Sequence, residues 1–530
     1  MSYSDFGLPS GCCTVTLKVM FVRKNKNRSG STSVQIISKE QGRYRLIKTL
    51  GTAHDPDEIE RLWLAGQSLV HKMDPSQKEL FALYTQSDHI VQNLVLMLGN
   101  SNVHTIGPEL IFGTLFDGMG FDKIPDLLFR HLVIARLAYP GSKLKTVDYL
   151  FRYQGTSLSV SALYKALDRL CSRYKAQAEE IVYQHTRSRV STISVLFYDV
   201  TTLYFEAEDE DDLRRIGYSK DGKFEHPQIT LGLLVGEDGF PIGYDVFEGN
   251  KFEGHTLLPV LSRYEKLYGF SRPVVVADAA MLSASNLKEL AEERYEFVLG
   301  ARIKNESEAL KQEIIKKTSG MGSGDKIIVE REDGIRLIVT YSDRRARHDR
   351  KNRKKGLLRL EKQVKSGYLT KQSLNKRGYN KFLVLDGDMR VRIDEEKIAS
   401  DEFWDGLKGY LTNASLEADK VVEHYSHLWR IERAFRISKT DLRVRPIYHY
   451  RKRRIEGHLC IGFVAYAIYK ELEHLLEKAE AGMSASRAAE LTHNMYELEY
   501  YLPDAKVMQK QILAMTDEQK RLYQAVLGNK

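Results

Sequence analysis

The sequence predicts an α/β multidomain protein: a mixed-sheet core interrupted by a β-rich insertion, preceded by a small β+α N-terminal module and a helical domain. Three observations carry this. Between residues 190 and 301 strand-like runs alternate with helical ones, and "PVVVA" is wholly apolar, as suits a strand buried on both faces. Residues 105–188 hold helix-period runs and no strand. Residues 311–413 break the alternation with strand-like runs around a strongly basic stretch.

Taken in order, residues 1–95 form the first module. "TVTLKVMFVR", "SVQIISKE" and "YRLIKTLGTA" read as strands, and Asp55 followed by Pro56 opens a helix through "EIERLWLAGQSLVHKM". Arg23, Lys24, Lys26, Arg28, Arg43 and Arg45 cluster at its turns, either to grip DNA or as a solvated rim. Residues 96–188 are the helical domain, split at Pro140-Gly141. Residues 189–310 open the core with three strands, the turn "GEDGFP" making a hairpin of the second and third; a helix, a buried strand and another helix–strand pair follow. Residues 311–413 are the insertion with a basic arm. Residues 414–478 complete the core, and 479–530 read as a polar helical tail.

A chain of 530 residues accommodates several domains of roughly 100–200 residues. Its 42% apolar and 28% charged content is that of globular material. Eighty Lys and Arg against 71 Asp and Glu leave a net charge of +9, which favours a polyanionic partner. Cys12, Cys13, Cys171 and Cys460 are too few and scattered for a disulfide framework or a zinc cluster, which suits a reducing cytoplasm. The N-terminus lacks a signal-peptide pattern, and "HLCIGFVAYAIYKELEHLL" turns charged too early to span a bilayer. A soluble cytoplasmic protein, with no membrane partner, is expected.

Three carboxylates stand where a charge is out of place. Asp199 interrupts an apolar strand, "VLFYDVTTLYF". Asp278 ends "PVVVAD", at the carboxyl end of a buried strand. Glu432 lies in "HYSHLWRIERAFRISKTDLRVRP", residues 424–446. At about 100° per residue, Tyr425, Leu428, Trp429, Phe435, Arg436 and Lys439 all fall within about 60° of it, so Glu432 is expected at the centre of a buried helical face. Each has a plain alternative: Asp199 bonding neighbouring backbone, Asp278 capping a turn, Glu432 pairing with Arg436. Together, on segments expected to share one core, they point to a metal site. Oxygen ligands without His or Cys favour two Mg²⁺ or Mn²⁺ ions, suited to phosphodiester exchange. The denser acidic run "EAEDEDD", residues 206–212, reads as a solvated loop.

At these residues the chain resembles the DDE transposases of bacterial insertion sequences, whose catalytic domain is ribonuclease-H-like. "YDVTT" is similar to the first-aspartate segment and "VVVADAAM" to the second. "YSHLWRIERAFRISK" is similar to the Tyr-x-x-Arg-x-x-x-Glu-x-x-x-x-x-x-Lys signature of the insertion-sequence-four group, in which a β-strand insertion precedes the glutamate. The resemblance covers about 190–475. It implies that Asp199, Asp278 and Glu432 hold the metals, and that Tyr425 and Lys439 contact phosphates of the transposon end. The motif's arginine is replaced by Leu428, with Arg430, Arg433 and especially Arg436 as nearby substitutes. Trp404 is a candidate for holding a flipped base, or else core.

Arg344, Arg345, Arg347, Arg350, Lys351, Arg353, Lys354 and Lys355, with Arg451 to Arg454 (Arg453 and Arg454 among them), are expected to supply salt-sensitive DNA affinity. The expected activity is cut-and-paste transposition: binding of terminal inverted repeats, end cleavage, and joining of 3′-hydroxyls to target DNA. A homodimer on double-stranded DNA is expected, in a bacterial cytoplasm and on the nucleoid when bound. The rivals are a ribonuclease-H-like nuclease or resolvase without strand transfer, and a domesticated, non-catalytic DNA-binding protein.

Overall fold

The computed structural model describes residues 19–40, 42–73, 103–190, 193–219, 222–269, 272–281, 283–331, 334–366, 378–386, 390–502 and 506–528. Cys12, Cys13 and the start of the first expected strand, residues 14–18, lie outside the described residues. The chain divides into two compact units, residues 1–102 and 103–530. The expected core, insertion and tail, and the helical segment from 103 on, therefore share the second unit.

In the first unit, β1 (Val19–Lys26), β2 (Thr32–Glu40) and β3 (Arg43–Ala53) form an antiparallel sheet in that order, and α1 (Pro56–Met73) packs on it. The β1–β2 turn is closed by Asn27, whose side-chain amide bonds Ser31 and Ser33. Val34, Ile36 and Ile37 of β2 are buried. Lys24 is spent within the unit: it pairs with Glu60 and lies 4.8 Å from the Trp63 ring centroid.

The second unit is built on one eight-stranded sheet. Its central strands are β5 (Val195–Tyr204), β6 (Gln228–Val235), β7 (Pro241–Glu248), β8 (Val274–Ala277) and β9 (Phe297–Ala301). They lie in the spatial order β7-β6-β5-β8-β9, with β6 and β7 an antiparallel hairpin on β5, and β5, β8 and β9 parallel. The long connections are helical: α6 (Leu257–Tyr268) between β7 and β8, α7 (Ala284–Glu292) between β8 and β9. This mixed sheet is consistent with the expected ribonuclease-H-like architecture.

Strand alternation sorts the two faces. Leu196, Tyr198 and Val200 of β5 join Leu257, Val260 and Leu261 of α6 in one core. Val195, Phe197 and Leu203 join the opposite core with Ile431, Phe435, Val464 and Ile468. Asp199 has the parity of that second set.

The insertion differs from a free-standing β module. After α8 (Glu308–Thr318), its strands β10 (Lys326–Glu330) and β11 (Arg336–Tyr341), with the returning β14 (Leu407–Thr412), extend the main sheet past β9 in the order β10-β11-β14-β9. Pairing β14 to β9 covers an edge that would otherwise present unpaired backbone groups. Among the described residues only β12 (Leu383–Asp386) and β13 (Arg390–Ile393) pair apart from it, followed by α10 (Glu395–Glu402). The basic arm is a 23-residue helix, α9 (Asp343–Lys365).

The helical segment includes α2 (Leu127–Ala138), α3 (Lys143–Gln154), α4 (Val160–Arg169) and α5 (Lys175–Arg189), with shorter helical turns before α2 and between α4 and α5. Asp126, Ser142 and Ser159 cap the first three by accepting backbone N–H bonds. The apolar helix α13 (Lys452–Lys478) packs on α2, α4, α5 and β7, merging the segment into the core. The tail is not wholly helical. Between α14 (Ala485–Thr492) and α15 (Asp517–Leu527) lies a hairpin, β15 (Tyr496–Leu502) and β16 (Val507–Ile512), and β15 also pairs with β4 (Val103–Thr105). Among the described residues no helix is long and apolar enough to cross a membrane.

Candidate active site

The parallel pairing of β5 with β8 runs from Val195↔Val274 to Tyr198↔Ala277. Asp199 and Asp278 are the residues that follow this last pair, Asp199 still within β5 and Asp278 directly after β8, whose neighbouring strands lie about 5 Å apart. Asp199 is half-buried and accepts a 2.7 Å hydrogen bond from the Val200 N–H. Asp278 is exposed just past the end of β8 and accepts from the Ala279 N–H at 2.7 Å. It also accepts from the Tyr425 hydroxyl at 3.0 Å. Gly300, on β9, makes room for that phenol, because a Cβ there would stand 2.5 Å from the tyrosine oxygen.

The stretch 424–446 is not one helix. α11 (Ala418–Ser426) ends, the chain turns through His427 and Leu428, α12 (Trp429–Arg436) follows, and a π-helical turn covers Ile437–Asp441. Tyr425, Leu428, Ile431, Ala434 and Phe435 are buried, whereas Glu432, Trp429 and Arg436 are exposed. Glu432 thus borders the buried face instead of occupying its centre. The turn at 427–428 rotates the continuation relative to α11, and an even 100° count cannot register that. Glu432 therefore places no charge inside the core. α12 packs on β5 and β6, on the face that carries Asp199.

A lysine the sequence reading missed ties the site together. Lys408, on β14, places its ammonium 4.3 Å from the Tyr425 ring centroid and 5.4 Å from that of Tyr410. Burial lowers its pKa, Arg345 lowers it further, and Asp278 and Glu432 pull it back up. Burial, then Asp278, with a smaller push from Glu432, raise that of the Tyr425 phenol. The fields of Asp278 and Glu432 therefore overlap at Lys408 and Tyr425. A lysine within "LKGYLT", a run otherwise free of charge, was the available signal.

The donor set is all oxygen, which fits a hard divalent cation. Among the described residues, however, no three His, Cys, Asp or Glu side chains already stand at metal-holding spacing. Each aspartate accepts a hydrogen bond from the next backbone N–H through one carboxylate oxygen.

The other candidates disperse. Lys439 is half-buried in the π-turn, and Arg436 is exposed one helical turn beyond Glu432. Arg433 pairs with Glu473 of α13 at 2.6 Å. Arg430 lies against the Trp429 ring, 5.9 Å from its centroid. Trp404 is 9% exposed and packed on the opposite sheet face, so it is core and presents no ring to a base. On α9, Arg344, Arg345, Arg347, Arg350, Lys351, Lys354 and Lys355 are exposed. Arg353 is not available to DNA: it is buried and ion-paired with Asp405 at 2.5 Å and Glu402 at 3.3 Å. Arg453 is exposed, while Arg454 is engaged with Asp168 at 3.1 Å. In "EAEDEDD", Asp211 accepts from the backbone of Leu213 and Arg214 and from the Arg214 side chain, ordering its own loop.

The family described as Transposase DDE domain matches residues 191–468, more than half of the chain. The chain belongs to the DDE transposase family. Asp199, Asp278 and Glu432 all lie within the matched span of this transposase, as do the insertion strands. Comparison with curated proteins gives no match. Among solved structures, a piggyBac transposase synaptic complex with hairpin DNA is similar over 76% of this chain and 79% of that one, with 10% identity and a TM-score of 0.39. That likeness is too loose to carry an argument.

Proposed function

We propose that this transposase cuts DNA at the ends of its own mobile element and joins the freed 3′-hydroxyls to target DNA, with Asp199, Asp278 and Glu432 as its metal ligands. The single observation that supports this most is the contact of Tyr425, on the segment that leads to Glu432, with Asp278: its hydroxyl donates to that carboxylate at 3.0 Å, and Lys408 lies 4.3 Å from its ring centroid. Two divalent cations, Mg²⁺ or Mn²⁺, would supply an activated water or 3′-hydroxyl and a stabilised leaving oxygen. The chain's own groups do the rest. Tyr425 holds the Asp278 carboxylate in one orientation, and Lys408 limits the repulsion between Asp278 and Glu432.

Double-stranded DNA would lie across the mouth of this sheet face. Exposed Arg344, Arg347 and Lys354 on α9, Arg436 beside the glutamate, and Arg453 would meet phosphates. Arg345, whose charge already reaches Lys408 and Tyr410, would sit nearest the reacting strand. A protomer holding one end implies a pair of protomers for two ends. Incubating the full chain with labelled element ends and Mg²⁺ tests the reading: cleavage followed by joining to a target plasmid supports it. Cleavage of those ends with no joining of pre-cut ends would instead indicate a hydrolytic nuclease.

A further inference from the structure

Beyond the C-terminal end of β5 lies a cavity of about 520 Å³ whose lining is one-sided in charge. Five Arg or Lys residues and two histidines line it, and no aspartate or glutamate does. Four of these side chains are more than nine-tenths buried: Arg136 is 4% exposed, His449 5%, His458 6% and Lys143 7%. Among the described residues, no carboxylate forms a salt bridge with Arg136 or Lys143. Among the described residues the Arg136 guanidinium donates to the carbonyls of Leu442 and Arg443, at 3.2 and 3.1 Å. The Lys143 ammonium meets His458 Nδ1 at 3.4 Å, while the other ring nitrogen of His458 is 2.8 Å from the Val444 carbonyl.

Burying cations without a counter-charge is strongly unfavourable, and an isolated structural cluster would gain from losing them. The molecule shows that tension. Desolvation, and then the other cations of the group, push Lys143, His449 and His458 towards their neutral forms. The N-terminus of α3, a 12-residue helix capped by Ser142, also borders the cavity. Peptide N–H groups at such an end favour an anion. Lys145 and Arg443, both exposed, stand at the mouth.

We infer that this cavity is a binding site for a phosphate group, received between Arg136, Lys143 and the start of α3. The Tyr204 carbonyl, which accepts from the Ile447 N–H beside the cavity, is five residues along β5 from Asp199. That separation is about 16 Å along the strand. The cavity is therefore distinct from the carboxylate site, and the inference stands whether or not the proposed chemistry does. The phosphate belongs either to a DNA backbone passing the mouth or to a free phosphate ion.

Thermal unfolding of the full chain, titrated with sodium phosphate against sodium chloride at equal ionic strength, tests this. The expected result is a midpoint raised by at least about 3 °C at tens of millimolar phosphate. The rise should be absent in Lys143→Met, a variant whose own midpoint in chloride should equal or exceed that of the parent because a buried amine without a counter-charge is replaced by an apolar side chain. Arg443→Met, altered only at the mouth, should weaken the phosphate response at least about threefold and keeps the test open if Lys143→Met does not fold. A phosphate response no larger than that of chloride, or one undiminished in the variants, overturns the site. Anisotropy with a labelled duplex then identifies the source. About tenfold weaker binding by Lys143→Met assigns the site to the DNA backbone, and unchanged binding with the phosphate response lost assigns it to the free ion. Asp199→Ala should keep the phosphate response in full, separating this result from any failure at the carboxylates.

Discussion

The Tyr425 hydroxyl spends its hydrogen bond on a carboxylate, which fixes the phenol and the acid together. If Asp278 holds a metal as proposed, Tyr425→Phe should keep the packing of the ring and lower the rate of end nicking about 10–100-fold, the usual effect of losing a group that orients a metal ligand. Asp199→Ala, Asp278→Ala and Glu432→Ala should each lose more than about 100-fold in cleavage while still binding end DNA, checked by gel shift beside the nicking assay. Leu428, which stands where the signature has arginine, is buried and packs with Ile431 and Phe435. Restoring the signature by Leu428→Arg should therefore destabilise the fold, by at least about 3 kcal/mol in denaturant titration, and gain no activity. At this scale the two aspartates stood out in the sequence because one interrupts an apolar strand and the other directly follows one. Trp404 was ambiguous, because periodicity does not say which sheet face a neighbouring aromatic will choose.

Among the elements, α9 separates two kinds of arginine that look alike in "RRARHDRKNRKKG". Arg344→Ala, Arg347→Ala and Lys354→Ala should leave the unfolding midpoint unchanged and reduce the salt slope of DNA binding, by about 0.9 for each phosphate no longer neutralised. Arg353→Ala should do the reverse, costing about 3–5 kcal/mol of stability because Asp405 would be left buried without its partner. The core strands, the N-terminal hairpins and the apolar helix α13 were readable from period and turn chemistry. Two features were not. The joining of β10, β11 and β14 to the main sheet depends on long-range pairing, which leaves no local trace. The turn at 427–428 depends on packing against the sheet, and an even helical count passes over it. The β15–β16 hairpin was at least partly visible, since Tyr496, Leu498, Tyr500 and Leu502 alternate with Glu497 and Glu499.

Over the second unit, segments far apart in the chain meet at a cationic cavity, and the proposed function has them meet also at a carboxylate face. The cavity predicts an acid-sensitive fold. Burial, with Lys143 and Arg136 adding to it, holds His449 down at about 3, below its ordinary 6.5. The unfolded chain therefore takes up a proton near pH 6.5 that the folded chain refuses until about pH 3. Stability should be full above pH 6.5 and fall across that window, by about 1.4 kcal/mol per pH unit for this group. Unfolding midpoints in chloride buffers should show a shallower fall for His449→Gln. The carboxylate convergence is the central claim, and iron-directed cleavage of the polypeptide reads it without relying on DNA. With Fe²⁺ in place of Mg²⁺ and ascorbate as reductant, backbone cuts should appear together near residues 199, 278 and 432, and vanish together with excess Mg²⁺ or in Asp278→Ala. Cuts confined to one of the three segments, or unaffected by Asp278→Ala, would contradict a shared metal site.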